Sequence, residues 1–411
     1  MARTYTICGV MSGTSRDGVD VAIVKISGSF PSNKMKTLYA ETYSYPPWLK
    51  ALLHTPLKDL SLEDASGLDF LLGDLYAEYA LRAIQSAGLE PDDVDAIGSH
   101  GQTLLHLPAG RKIGERIVRS TLQVGSGAVT AQKAGIMTVS DFRSADIAAG
   151  GEGAPLVPVY DYVLLRSSKK SCVALNIGGI ANLTAIPKKA RQDDVIAFDT
   201  GPGNCMMDTA VRLRAKDLSA SDRDMAPANA GKGALAHVGS AAAFDRDGAL
   251  ARVGEVDDEC VEEVLAHPYF ARKPPKTTGW EDFGADYTRA LVEAMAGRGR
   301  STRDMLRTLT EITVATVANA IEDFVRPGMD VDEVIVTGGG SHNSMLMGLL
   351  KKRLPEIPVD IGEAHGIDSD AKEASAFAYL AYLRLEAIPA NIVSQAAGLE
   401  PALLGSISEP V

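Results

Sequence analysis

Cysteine is sparse in this chain: Cys8, Cys172, Cys205 and Cys260 stand far apart in 411 residues, and the seven histidines do not gather around them. That spacing excludes a disulfide framework and the paired thiols of a structural zinc site, which leaves free core thiols. Positive charge is short as well. The 41 Lys and Arg against 53 Asp and Glu give a net charge of −12, without the basic footprint that a nucleic-acid backbone or an anionic membrane demands. No apolar run approaches the roughly 18 residues of a membrane-crossing helix. The opening MARTYTICGVMSG reads as a strand entering a turn, not as a charged-then-apolar leader. Two common nucleotide fingerprints are missing too: there is no G-x-x-x-x-G-K-[ST], and no G-x-G-x-x-G in a strand–turn–helix unit. These absences point to a cytoplasmic protein with no nucleic-acid and no membrane partner.

What is present is a chain with 45% apolar and 23% charged residues, long enough to lean toward two domains. TYTICGVMSG, VDVAIVKISG and TLYAETYSY are β-rich runs separated by turn residues, as in antiparallel hairpins. Apolar positions at helical spacing (Leu68, Leu72, Leu75, Tyr79, Ala83) then predict a helix from Leu62 toward Leu89, ending at Gly88 before Pro91. VDAIGSH adds a strand that runs into the SHGQT loop. The order strand, strand, strand, helix, strand is that of an α/β half with a mixed sheet. CVALNIGGIANLTAI, VIAFDTGPGN and EVIVTGGGSHNSMLMGLLKKRL repeat the plan, so the halves read as a duplication. The expected division is domain I over 1–140, with a helix and tail of about 375–411 packing back on it, and domain II over 141–374. A surface insertion rich in Ala, Gly, Ser and Asp is expected at about 215–255.

Three Gly-rich turns stand at strand ends: Met11 to Asp20, Phe198 to Asn204 and Thr337 to Asn343. Glycine permits positive φ and close backbone approach, and the exposed amides of such turns form a nest for phosphate oxygens. Together they match the two phosphate elements and the adenosine element of an ATP clamp. In the first turn Ser12, Gly13, Thr14, Ser15 and Gly18 supply hydroxyls and amides, while Asp17 and Asp20 can position hydrated Mg²⁺. In the others, Gly201, Gly203, Asn204, Gly338, Gly339, Gly340 and Asn343 line up for the nucleotide. Gly339 is read as the position where a β-branched side chain would block positive φ and crowd the purine. Asp199 is read as standing at a strand end, where parallel strands deliver ligand-binding residues, and a carboxylate there can act as general base.

The motifs MSGTSRDGVDVAI, SHGQT, TLQVGSGA, DFRSADIAAGGEGAPLVP, NIGGIANLT, FDTGPGN, PPKTTG, TGGGSHN and KEASAFAYLA occur in this order from about residue 5 to residue 385. In that order they resemble the motifs of the anhydro-N-acetylmuramic acid kinases, relatives of actin, the sugar kinases and the heat-shock chaperone ATPases. The resemblance implies an α/β fold of duplicated ribonuclease H-like (actin-like ATPase) domains around a central cleft. It also implies that ATP and Mg²⁺ serve to phosphorylate a 1,6-anhydro sugar while water opens the anhydro bridge. Asp199 is then the base, and Arg143 of DFRSAD binds sugar hydroxyls, a lactyl carboxylate or the catalytic Asp. Glu373 of KEASAFA holds Mg²⁺ or the attacking water. His100, Gln102 and Thr103 face the sugar; Gly178, Gly179 and Lys276 join the nucleotide side, with Lys276 in a KTTG segment that could otherwise cap a helix near Trp280. Asp17, Asp199 and Glu373 are the metal candidates, and a homodimer is allowed.

Three departures from the family pattern stand out, one of them an insertion after the FDTGPGN helix that is longer than usual. VGSGA replaces the usual IGDPA of bacterial members, which brings a levoglucosan kinase-like acceptor into view, and Arg16 stands where an apolar residue is common. Arg16 is expected to face solvent, with phosphate contact as the alternative. From another class, a chaperone or filament-like ATPase would have no evident need of Arg143 and SHGQT, and a dead sensor would have lost Asp199 or the Gly turns.

Overall fold

The structure is a computed structural model that describes residues 3–13, 16–214, 217–218, 235–238, 241–391 and 400–411. The chain divides into two compact units, one of residues 1–164 and 370–411, the other of residues 165–369. Residues 141–164 and 370–374, which the sequence reading assigned to the second domain, thus lie in the first. Phe142 packs on Phe377, Tyr160 on Tyr379, and Asp161 pairs with Lys372, which holds these segments together in the first unit.

In the first unit, β1 (Tyr5–Ser12), β2 (Gly18–Ser27) and β3 (Lys34–Ser44) form an antiparallel meander. β4 (Ala96–Ile113) runs parallel to β1, β5 (Arg116–Val124) returns antiparallel along β4, and β6 (Thr138–Ser140) runs parallel to β4. The C-terminal strand Ser406–Ser408 closes on β6, so the tail does pack back on this unit. The helix Leu62–Ser86 starts with a Ser61/Asp64 capping box and stops just short of Gly88. Its apolar stripe, including Leu68, Leu72, Tyr76 and Ala80, shares one core with Val10, Val19, Val21 and Ile23 of the sheet.

The helix Lys372–Leu385 belongs to the same unit and lies against β1 and β4 at paired glycines. A Cβ on Gly9 would stand 1.8 Å from the Ala374 carbonyl oxygen, and one on Gly98 would stand 2.3 Å from that of Phe377. Glycine in the strands and the small residues Ala374, Ser375, Ala376, Ala378 and Ala381 in the helix permit this approach. The first turn of that helix carries Glu373.

The second unit repeats the plan. β7 (Cys172–Ile177), β8 (Ile180–Ile186) and β9 (Ile196–Pro202) form the meander. A separate hairpin pairs β10 (Leu235–Val238) with β11 (Ala241–Asp245), within the expected insertion. β12 (Glu333–Thr337) runs parallel to β7, and β13 (Val359–Ile361) parallel to β12. The first sheet has the order β3–β2–β1–β4–β6, extended by β5 on β4 and by the C-terminal strand on β6, and the second has β9–β8–β7–β12–β13 with the same strand senses, which is the ribonuclease H-like plan built twice. The apolar run Val334–Ile335–Val336 is buried throughout, as an inner parallel strand requires. All four cysteines are free and buried. No helix among the described residues is long and apolar enough to cross a membrane.

Candidate active site

Asp199 lies inside β9, an antiparallel edge strand, opposite Asn182 of β8. This corrects the expectation of a parallel strand end: an apolar run such as VIAF fits either sense, and only the pairing partner decides it. The segment 269–278 wraps around this residue. Tyr269 Oη donates to the Asp199 carbonyl at 2.6 Å, the Asp199 amide donates to the Lys276 carbonyl at 3.1 Å, and the Thr278 amide donates to Asp199 Oδ2 at 3.0 Å. A carboxylate with one oxygen on a backbone amide has a fixed plane, the first requirement of a positioned base. Thr278 Oγ1 is bonded to Asp282 Oδ2 at 2.7 Å, which ties this loop to the short helix Trp280–Phe283.

Lys276 is buried at 1% exposure. Its Nζ donates to the Phe270 carbonyl at 3.2 Å and stands over the rings of Phe324, Tyr269 and Phe198 at 4.4, 4.9 and 5.7 Å. Burial, helped by Arg272, pushes this amine down to about 8, while Asp323 and Asp199 pull the other way.

The Gly turns of the second unit meet. Gly203 and Asn204 amides donate to the carbonyls of Gly179 and Gly178 at 2.9 and 2.8 Å, and Asn204 Nδ2 reaches the Ile177 carbonyl at 3.2 Å. In the triplet, φ is positive at Gly338 (79°), not at Gly339. A Cβ on Gly338 would meet Asn176 Oδ1 at 2.6 Å, whereas one on Gly339 meets only Asn204 Nδ2 at 3.6 Å. Positive φ thus falls on the first of the three, because the turn into the helical residues 339–342 is made there, while Gly340 is crowded too, its Cβ position lying 2.4 Å from Ile177 Cγ2. Asn343 uses its side chain as the cap of the helix Ser344–Arg353, accepting the Leu346 amide at 3.1 Å.

In the first unit, Ser12 and Gln102 are both buried and form one network. Ser12 Oγ donates to Gln102 Oε1 at 2.7 Å and lies 2.9 Å from Tyr45 Oη, and Gln102 Nε2 donates to the Gly13 carbonyl at 3.1 Å. The side chain of Gln102 therefore turns to the MSG turn. Thr14 and Ser15 lie outside the described residues. Asp17 is exposed, and Gly18 opens β2 against the Tyr43 carbonyl, 2.6 Å from where a Cβ would sit. Arg16 is half-buried instead of turned to solvent: Nη1 donates to the Leu53 carbonyl at 2.6 Å, at the end of the helix Pro47–Leu53.

Arg143 lies in the first turn of the helix Phe142–Ala148, with Nε donating to His100 Nε2 at 2.9 Å and Nη1 to the Gly153 carbonyl at 2.6 Å. His100 Nδ1 bonds the Gly101 carbonyl at 2.8 Å, so the network assigns a neutral ring with its proton on Nδ1. Burial, with the Arg143 charge beside it, pushes His100 down to about 3. Both ring nitrogens are engaged, and the histidine orients the arginine. Thr103 lies on a polar ladder across β4 and β5: Gln123 Nε2 donates to Thr103 Oγ1 at 3.1 Å and to Thr121 Oγ1 at 2.7 Å, and His106 Nδ1 meets Thr121 Oγ1 at 3.1 Å. His106 Nε2 is buried with no hydrogen-bond partner among the described residues.

Glu373 is partly buried, and burial followed by the Asp20 charge raises its pKa above the usual carboxylate range, while Lys372 and Arg143 oppose the shift. Asp20 is itself raised, by burial first and with Asp17 and Asp370 adding to it, against the Thr42 hydroxyl that donates to it at 2.6 Å. Lys372 is paired with Asp161 at 2.7 Å, both side chains about 5% exposed or less. No group of three His, Cys, Asp or Glu that could cage a metal occurs among the described residues.

Residues 5–240 and 217–410 match the family described as anhydro-N-acetylmuramic acid kinase. Relatives bearing that name include the protein of Caldanaerobacter subterraneus subsp. tengcongensis, 40% identical over 408 residues, covering 98% of this chain and 96% of the relative. The Salinibacter ruber protein is 39% identical over 98% of this chain and 96% of its own length. That of Bacillus cereus (strain AH820) is 36% identical over 98% and 99%. The chain belongs to the anhydro-N-acetylmuramic acid kinase family. It is a sugar kinase, a phosphotransferase with an alcohol acceptor.

Against this family's pattern, the VGSGA departure falls on a structural turn. Ser126 caps the helix Gly127–Ala134, and the Gly125 amide donates to Asp69 Oδ1 at 2.9 Å. Sequence reasoning missed Tyr269 and Thr278 around Asp199, and Gln123, Thr121 and His106 on the β4–β5 ladder. Thr121, Gln123 and Thr278 had a signal, since all three fall inside quoted motifs. Tyr269 had none, because its contact is made through a hydroxyl 70 residues from Asp199.

Proposed function

We propose that this kinase hydrolyses the anhydro bridge of 1,6-anhydro-N-acetylmuramic acid and phosphorylates its 6-oxygen, giving N-acetylmuramic acid 6-phosphate and ADP. The observation that carries the reading is the carboxylate of Asp199, held in one plane by the Thr278 amide. Asp199 takes a proton from water as the water oxygen forms a bond to the anomeric carbon. The bond from that carbon to the bridging oxygen breaks, and the freed oxygen takes the γ-phosphoryl group as the bond to ADP breaks. Capture by the phosphoryl group removes the negative charge that would otherwise make the bridging oxygen a poor leaving group.

Arg143, oriented by neutral His100, is assigned to the acceptor's oxygens, and the unpartnered His106 Nε2 with the Thr103, Thr121 and Gln123 ladder supports a polyhydroxylated acceptor. Asp17, Asp20 and Glu373 are carboxylates linked through Asp20, which feels the charge of Asp17 and acts on Glu373, a repulsion that a divalent cation would relieve. They suit Mg²⁺, which takes one or two carboxylates with waters and phosphate oxygens. Bound there, Mg²⁺ would neutralise charge on the phosphates. The glycine turns of the second unit, Gly178, Gly179, Gly201, Gly203 and Gly338 to Gly340, are assigned to ATP. Because Ser126 caps the helix Gly127–Ala134 and the Gly125 amide is held by Asp69, the VGSGA departure gives no support to a levoglucosan-type acceptor. Coupled ADP release tests the choice: 1,6-anhydro-N-acetylmuramic acid should outpace levoglucosan and N-acetylmuramic acid, and ADP release indifferent to the acceptor would contradict it.

A further inference from the structure

A lysine nearly without exposure is costly to keep charged unless its surroundings compensate. Lys276 has such surroundings in three aromatic faces and the Phe270 carbonyl, with the charges of Asp323 and Asp199 also favouring the ammonium. The nearest ring, Phe324, comes from the π-helical turn Ile321–Val325, which follows the helix Thr302–Ala320. Such turns strain a helix and recur at functional sites. The second ring, Tyr269, holds the Asp199 carbonyl through its hydroxyl, and the third, Phe198, is the residue before Asp199. The Lys276 backbone carbonyl receives the Asp199 amide, and two residues on the Thr278 amide holds the carboxylate. Phe198, Tyr269 and the Phe270 carbonyl are thus continuous with groups that fix Asp199, and Phe324 adds the π-turn as the remaining wall.

We propose that Lys276 is a positioning residue for Asp199, in place of the nucleotide contact that the family resemblance implies. Its ammonium clamps the 269–278 segment to the π-turn so that the Thr278 amide meets the base in register. The inference rests on the proposed reaction. It also explains why a site that apolar residues could fill holds a charge: exchanging a buried charge for a well-packed apolar group is often neutral or stabilising, so the lysine is not there for stability.

Lys276→Met, of similar length, tests this with wild-type enzyme, 1,6-anhydro-N-acetylmuramic acid and ATP. The expected result is a fall in kcat of about 10- to 100-fold, the scale of a misplaced catalytic group. KM for both substrates should stay within about threefold, with an unchanged or higher melting temperature. Hydrogen exchange at the Thr278 amide should quicken in the same variant. Phe324→Leu, which keeps the lysine, should lower kcat less and in the same direction. Unchanged kcat, or a rise in KM for ATP alone, would overturn the proposal, the latter by making Lys276 a nucleotide contact. If Lys276→Met does not fold, Phe324→Leu with wild-type kcat and wild-type exchange at Thr278 overturns it. Wild-type enzyme inactive on this sugar is a different outcome, and sinks the proposed reaction instead.

Discussion

Thr278 donates its backbone amide to the Asp199 carboxylate at 3.0 Å, across 79 residues of sequence. The contact turns a strand carboxylate into an oriented one, and the chemistry assigned to this kinase depends on that orientation.

Asp199→Asn keeps the size of the side chain and removes its basicity. Turnover should fall by roughly two to four orders of magnitude, the range for a general base, with ATP affinity nearly unchanged by calorimetry. Turnover near that of the wild type would remove Asp199 from the role.

Gln102→Leu leaves Ser12 Oγ and the Gly13 carbonyl, both in a buried network, without their amide partner. Unfolding stability should fall by about 1–3 kcal/mol, the cost of orphaned buried polar groups. KM for ATP should rise more than KM for the sugar, because the displaced element is the MSG turn. A rise confined to the sugar would restore Gln102 as a direct acceptor contact.

Acid should destabilise the first unit through His100. This ring titrates near 6.5 when unfolded and near 3 in the fold, so the unfolded chain takes up the proton first. Its contribution is present above about pH 6.5 and is lost as pH falls toward 3. His106, pushed down to about 4 by burial and Arg143, acts in the same sense. In thermal melts between pH 4 and 7, His100→Gln should show a shallower loss than wild type, by up to about 1.4 kcal/mol per pH unit. Parallel curves for the two proteins would contradict the neutral, buried assignment.

Much of this was legible in the sequence. Period-two and period-3.6 patterns located the strands and the Leu62–Ser86 helix, and the repeat of strand, turn and strand announced the duplicated sheet. Illegible features share one physical cause, contacts made far along the chain. An apolar strand does not state its sense, so Asp199 was read into a parallel strand. A Gly triplet does not say which residue takes positive φ; Asn176 and Ile177 decide that it is Gly338. Polar residues in a loop motif look available for ligand, yet Gln102 is consumed by Ser12 and Gly13, and His100 by Gly101 and Arg143. Arg16 looked like a solvent cation because nothing near it in sequence reveals the Leu53 carbonyl.

The central claim is that ring opening and phosphoryl transfer are parts of one event, and turnover in ¹⁸O-water tests it most directly. If Asp199 delivers water to the anomeric carbon, the label should appear on the anomeric hydroxyl of the sugar phosphate, with none in its phosphoryl group, at one ADP per sugar opened. Label released in inorganic phosphate, with the anhydro bridge intact, would mean that the protein hydrolyses ATP without a sugar acceptor.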